Sequence, residues 1–272
     1  MGSITDFLEL ELLDHIFNAS YTAPTNIYLV LCTADPTDAA TGASCSETAN
    51  SGGYARTEIT VGVAASRVVT QDADVEFPQA TGDWASPITD WCIADGDTYG
   101  AGNILAYGSF AASKDILEND TPKVSSGEVN VTFSAGEISD FLANELLDHV
   151  FNNAAYSSPD TYVGLCTAVI ADDDDGDTVT EVSGGSYARK QVNINGGASP
   201  TWDIAAAGIV DNTHAVTFVT ATASWGTIVA PGVFDALTSG NLLMYDNDMT
   251  DKPVGDGDTA EFAIGALDMQ MS

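Results

Sequence analysis

Residues 6–18 read DFLELELLDHIFN and residues 140–152 read DFLANELLDHVFN; the stretches differ only at positions 9, 10 and 16 against 143, 144 and 150. The echo continues in order along the chain. Tyr21 and Pro24 return as Tyr156 and Pro159, Leu31-Cys32-Thr33 as Leu165-Cys166-Thr167, and SGGYAR (51–56) as SGGSYAR (183–189). FPQATGDW (77–84) returns as FVTATASW (218–225), and GNILAY (102–107) as GNLLMY (240–245). A repeat of domain length, rather than the 20–50 residues of a solenoid, is a tandem duplication of one module. The spacing places the two copies near 1–135 and 136–272.

Each copy opens on its one convincing helix. Leu8, Leu12 and Ile16 fall at i, i+4 and i+8, with Leu13 and Phe17 beside them, and Leu142, Leu146, Leu147, Val150 and Phe151 repeat the stripe. Ser3 or Thr5 suits the N-cap, and Pro24 and Pro159 forbid continuation. The rest reads as short β-strands separated by Gly, Asn and Asp turns. Candidates are 27–33, 54–61, 75–77, 88–94, 104–110 and 129–133, then 161–167, 187–194, 215–218, 227–234, 242–244 and 260–269. The predicted class is therefore mainly β: two β-sandwich or jelly-roll-like modules, each with an N-terminal α-helix.

Seven basic residues against 40 acidic ones give a net charge of −33, which repels nucleic-acid phosphates and anionic membranes alike. Charged residues are only 17% of the chain, so the acidity comes from missing lysine and arginine, a composition that suits either life in high salt or an acidic marine or extracellular protein. No signal peptide or membrane span is visible in the pattern, so synthesis in the cytoplasm is the expectation. Cys32 and Cys166 occupy matching apolar runs and read as small buried hydrophobes. Cys45 and Cys92 occur in the first copy alone, leaving a Cys45–Cys92 disulfide open.

The polar residues offer several candidates. Arg56 and Arg189 each follow a Gly-rich turn and a tyrosine, Tyr54 or Tyr187. In so acidic a chain a repeated arginine calls for a fixed carboxylate partner, inside its module or across a subunit boundary. Trp84 and Trp225 are equivalent and suit core or interface anchors, with sugar stacking as the competing role. The run Asp172 to Asp177 invites a cation, but an EF-hand with its glycine at Gly176 needs an aspartate where Ala171 stands. A looser oxygen site using Asp172, Asp174 and Asp177, or one at Asp95/Asp97 or Asp256/Asp258, competes with a simple hydrated loop. His15 and His149 follow an aspartate on a helix, on a different azimuth, which argues for packing rather than a catalytic dyad. No catalytic residue and no cofactor is expected.

With LLDHIFN, YLVLCT, SGGYAR, FxxATxxW and GNxLxY in that order, the module resembles a family of small tailed-virus virion proteins, described as tail-fibre-like or head-decoration-like. The second copy is the closer match. With the composition, the resemblance implies a tailed virus of a halophilic host, an archaeon among the options. The expected role is a non-enzymatic structural protein on the virion surface, of capsid decoration or turret type. The alternatives are a tail-fibre or baseplate component, or a module binding host glycans or S-layer. The expected partners are further copies of itself, a homotrimer favoured because three duplicated chains present six similar surfaces, and other virion proteins such as the major capsid protein.

Overall fold

The computed structural model describes residues 2–85, 87–133 and 137–271; the junction between positions 135 and 136 lies outside them. The chain is mainly β with one helix opening each repeat. In the first repeat the order is β1 (Ser3–Ile4), α1 (Asp6–Phe17), β2 (Ile27–Cys32), β3 (Thr57–Ile59), β4 (Val68–Thr70), β5 (Val75–Glu76), β6 (Ile88–Ala94), β7 (Ile104–Lys114), β8 (Lys123–Val124) and β9 (Asn130–Thr132). In the second it is α2 (Asp140–Phe151), β10 (Thr161–Cys166), β11 (Lys190–Val192), β12 (Ile209–Asp211), β13 (Val216–Thr217), β14 (Gly226–Ile228), β15 (Ala230–Phe234), β16 (Leu242–Tyr245), β17 (Lys252–Val254), β18 (Glu261–Phe262) and β19 (Asp268–Gln270).

Strand order shows the duplication directly. The first repeat builds an antiparallel sheet β1-β7-β6-β2-β3 and the ribbons β4-β9 and β5-β8; the second builds β16-β15-β10-β11 and the ribbons β12-β19, β13-β18 and β14-β17. The register agrees as well. Val30 faces Cys92 and Tyr28 faces Ala94 in one copy, as Gly164 faces Gly232 and Tyr162 faces Phe234 in the other. The long strand β7 stays continuous to Lys114 opposite Ile88, whereas its counterpart breaks into β16 and β17, with Lys252 opposite Ile228.

The helices begin as their sequence demands. Thr5 Oγ1 accepts from Leu8 N–H at 3.4 Å and donates to Ile104 O at 2.6 Å; Ser139 Oγ does the same with Leu142 N–H at 3.1 Å and Leu242 O at 2.6 Å. Thr5, not Ser3, is therefore the N-cap, because Ser3 is spent in β1 opposite Tyr107. Both helices are 12 residues long, and none in the described chain is long and apolar enough to cross a membrane.

By packing, the chain divides into two compact units: Met1–Glu9, Thr22–Ser134 and Asn144–Tyr156 form one, and Leu10–Tyr21, Ala135–Ala143 and Ser157–Ser272 the other. Only the opening turns of each helix thus sit with the strands that follow in the same repeat. Within the first unit, Asn144 Oδ1 accepts from Arg67 N–H at 2.9 Å, Asp148 Oδ1 from Ala64 N–H at 2.7 Å, and Asn152 Nδ2 donates to Gly62 O at 3.0 Å. Within the second, Asp14 Oδ1 accepts from Ala205 N–H at 2.8 Å and Phe17 meets Trp202 at 4.8 Å between ring centroids. The aspartate of the repeated LLDH motif is thus a backbone anchor in both units.

Several readings of the strands change: 227–234 divides into β14 and β15, and 187–194 shrinks to β11. The run 260–269 is not one strand but β18 and β19, because Gly265 adopts φ +67° and Ala266 N–H returns to Ala263 O at 3.1 Å. Asn212 Oδ1 holds that turn by accepting from Ala266 and Leu267 N–H at 3.0 and 2.9 Å. The run 54–61 shrinks to β3 because its first residues carry the polar network described next.

Candidate functional site

Beside the main sheet of each unit lies the same arginine lock. Arg56 Nε and Nη2 donate to Glu47 Oε1 and Oε2 at 2.9 and 2.8 Å, while Nη1 donates to the carbonyls of Gly96 and Ala101 at 2.9 and 3.0 Å. Arg189 repeats this with Glu181, Nε at 3.0 Å from Oε1 and Nη2 at 2.8 Å from Oε2, and with the carbonyls of Ala236 and Ser239 at 2.8 and 2.7 Å. The planar guanidinium thus ties a carboxylate to a turn that would otherwise hold two inward carbonyls. The tyrosine before each arginine finishes the lock. Tyr54 Oη donates to Glu47 Oε1 at 3.0 Å and accepts from Leu31 N–H at 3.2 Å; Tyr187 Oη donates to Glu181 Oε1 at 2.6 Å and accepts from Leu165 N–H at 2.7 Å. Both arginine partners lie inside the arginine's own repeat. The sequence reading does not single out the two glutamates, although they sit nine and eight residues before the repeated arginines in an otherwise divergent loop.

The repeated tryptophans are core residues. Trp84 is 3% exposed and Trp225 4%, too little to offer a face to a sugar. Trp84 Nε1 donates to Gly52 O at 2.7 Å and Trp225 Nε1 to Gly185 O at 3.0 Å, which fixes the Gly-rich turn. Each ring meets its tyrosine edge-on, at 5.2 Å for Tyr54 and 5.3 Å for Tyr187, with Phe77 or Phe218 completing the cluster. The turn bound by the arginine is closed by a second motif. Asp95 accepts from Asn103 N–H and Nδ2 at 2.8 and 2.7 Å, and Asp235 from Asn241 N–H and Nδ2 at 2.7 Å each. The glycine before each asparagine is required: Gly102 and Gly240 have φ +76° and +75°, and a Cβ on either would lie 2.5 Å from the aspartate oxygen.

The acidic loop is held by hydrogen bonds within itself and by Tyr245. Asp172 accepts from Tyr245 Oη, Asp174 Oδ2 from Ala171 N–H at 2.8 Å, and Asp175 Oδ1 from Asp177 and Thr178 N–H at 2.9 Å each. Asp172, Asp174 and Asp177 do not converge on one point, and Asp95 and Asp258 are turn-closing residues, Asp258 Oδ2 accepting from Gly255 N–H at 2.8 Å. The histidines close helix ends. His15 Nδ1 accepts from Tyr21 N–H at 3.0 Å, and His149 Nδ1 lies 2.9 Å from Ala154 O.

Three carboxyls stand apart. Burial pushes Glu9 up to about 7, with Asp38 and Asp6 adding to it. Burial likewise pushes Glu137 up to about 7, assisted by Asp246 and Asp248. Asp211 is raised to about 6, first by its hydrogen bond with Asp268 and then by burial.

Among the described residues, one group of potential metal ligands converges: the sulfurs of Cys32, Cys45 and Cys92 lie within 4.8 Å of one another, all buried. All four cysteines are free thiols, so Cys45 and Cys92 form no disulfide. Cys32 Sγ lies 3.6 Å from Cys92 Sγ, on the diagonal between β2 and β6. Val30, Ala40, Ala94 and Ile104 surround the three sulfurs and Tyr107 packs against them.

The comparisons with known proteins fit this repeated scaffold. The family model for podophage GP4 fiber I protein gp80 matches the chain twice, over residues 3–132 and 137–270. No curated protein matches the sequence. The two matched segments together span nearly the whole chain, so the chain belongs to the podophage GP4 fiber I protein gp80 family, which it carries as a tandem pair.

Proposed function

We infer that this protein is a non-enzymatic structural component of a tail fibre, located in the virion. The observation that carries the reading is the double family match, since a fibre family favours the tail-fibre alternative over capsid decoration or a turret. The geometry supports a structural role: the repeated arginine, tyrosine, aspartate and tryptophan side chains bind backbone carbonyls and amides, which holds loops in place. Self-association as a trimer, assembly with other virion proteins and attachment to host glycans or S-layer extend the same reading. The net charge of −33 supports a high-salt setting. Labelling intact particles with antibody against the purified chain and imaging them by electron microscopy tests the location. Density along tail appendages is expected, and label on the capsid faces would overturn the fibre reading in favour of decoration. Light scattering in high salt tests the trimer; a stable monomer at micromolar concentration would exclude it.

A further inference from the structure

The two copies solve one packing problem differently. Cys32 and Cys166 each bridge to the lock glutamate, Glu47 or Glu181, so Cys45 and Val179 stand at equivalent positions two residues before it. The sheet register makes Val30 equivalent to Gly164, Cys92 to Gly232, and Ala94 to Phe234. In the second copy the Phe234 ring fills this space: it lies beneath the Arg189 guanidinium at 3.6 Å, and a Cβ on Gly164 or Gly232 would come within 2.8 or 2.9 Å of it. An aromatic ring, a valine and two glycines are therefore sufficient to pack the scaffold. The first copy gives up the ring for Ala94 and places two extra thiols beside Cys32, at positions 13 and 60 residues along the chain. Packing alone does not call for that exchange.

We propose that Cys32, Cys45 and Cys92 form a three-sulfur binding site for a soft monovalent cation, copper(I). Bonds of about 2.3 Å to sulfur place trigonal ligands about 4 Å apart, so the present separations, 3.6 Å for one pair and none above 4.8 Å, need only sub-ångström adjustment. Thiolates select copper(I), zinc or iron–sulfur clusters. A structural zinc site takes four protein ligands, and only three converge among the described residues. Copper enters already reduced, so no electron is transferred: copper–sulfur bonds form while each ligating thiol releases its proton to solvent.

The test uses the full-length reduced protein under anaerobic conditions. It is incubated with copper(I) as its acetonitrile complex, desalted in the presence of bicinchoninate as competitor, and analysed for metal per chain. Cys45→Val installs the residue that the second copy already carries, so it should fold, which near-ultraviolet circular dichroism checks. One equivalent of copper is expected on the wild type, with a raised melting temperature, and loss of that equivalent in C45V. Equal copper in folded C45V would overturn the site, as would none on the wild type. Zinc retained in preference to copper(I) would overturn the copper assignment. A chain 2 Da lighter, with Cys32 and Cys92 protected from alkylation before any reductant is added, would replace it with a disulfide.

Discussion

Arg56→Met should be among the most damaging single substitutions in the chain. The Arg56 side chain is 0% exposed and Glu47 only 4%, so removing the guanidinium strands a carboxylate with almost no access to water. It also leaves the carbonyls of Gly96 and Ala101 without the donor that now bridges them. Breaking a buried pair from one side costs about 3–5 kcal/mol, because the surviving charge is uncompensated. Arg189→Met should cost less on the charge account, since Glu181 is 18% exposed and can recover some hydration, although Phe234 loses the cation above its ring. Urea unfolding at fixed high salt, followed by tryptophan fluorescence, reads both. The Arg56→Met midpoint should fall by more than about 1 M, since urea m-values lie at roughly 1–3 kcal/mol per M. Adding Glu47→Gln should recover part of the loss, because the stranded charge disappears. An Arg56→Met midpoint within error of the wild type would refute the idea that the lock holds the loop.

Three further outcomes are expected. Glu9 and Glu137 bind their protons more tightly folded than unfolded, so the stability they give is full below about 4.5 and is lost as pH rises through about 7. Partial solvent screening limits this to about 1 kcal/mol for each group. The melting temperature at pH 8 should thus lie below that at pH 5 in the same salt, with Glu9→Gln plus Glu137→Gln flattening the profile; a rise with pH would contradict the assignment. The net charge of −33 predicts a melting temperature that climbs as salt goes from 0.1 to 1 M, because the Debye length shrinks from ~10 to ~3 Å; scanning calorimetry showing no change would count against it. Ser139→Ala removes a buried hydroxyl serving Leu142 N–H and Leu242 O, and should cost about 1–2 kcal/mol by chemical denaturation.

The helices were legible because a 3.6-residue stripe of Leu8, Leu12, Ile16 and their neighbours is a local pattern, and local patterns survive folding. Strands such as Ile88–Ala94 were legible as apolar runs bounded by turns. What the pattern does not carry is the identity of the partner. The stripe of α1 is the same whichever strands it meets, so the membership of Leu10–Tyr21 in the second unit has no signature in those residues. The break at Gly265 was hidden for a related reason: Asn212, more than fifty residues away, supplies the bonds that hold the turn. The same limit concealed the thiols. Cys32 reads like its repeat partner Cys166, which joins no such group among the described residues, and the convergence of Cys92 upon Cys32 depends on the β2–β6 register.

Duplication separates two kinds of constraint that a single module would confound. Both copies keep the Tyr–Glu–Arg lock, the Asp–Asn clamp and the Trp–Gly turn, at nearly the same distances, although the loops between them differ in length and composition. Those elements satisfy buried backbone carbonyls and amides, and any change in one strands another, so they resist substitution in either copy. The apolar space beneath the arginine is constrained only by volume, which a ring or several smaller side chains can fill. Divergence is therefore cheapest there: each exchange of Phe234 for Ala94, or of Val179 for Cys45, preserves the surrounding hydrogen bonds. New chemistry in a tandem fibre module is expected at such a place, where the scaffold constrains volume and leaves the choice of atoms open.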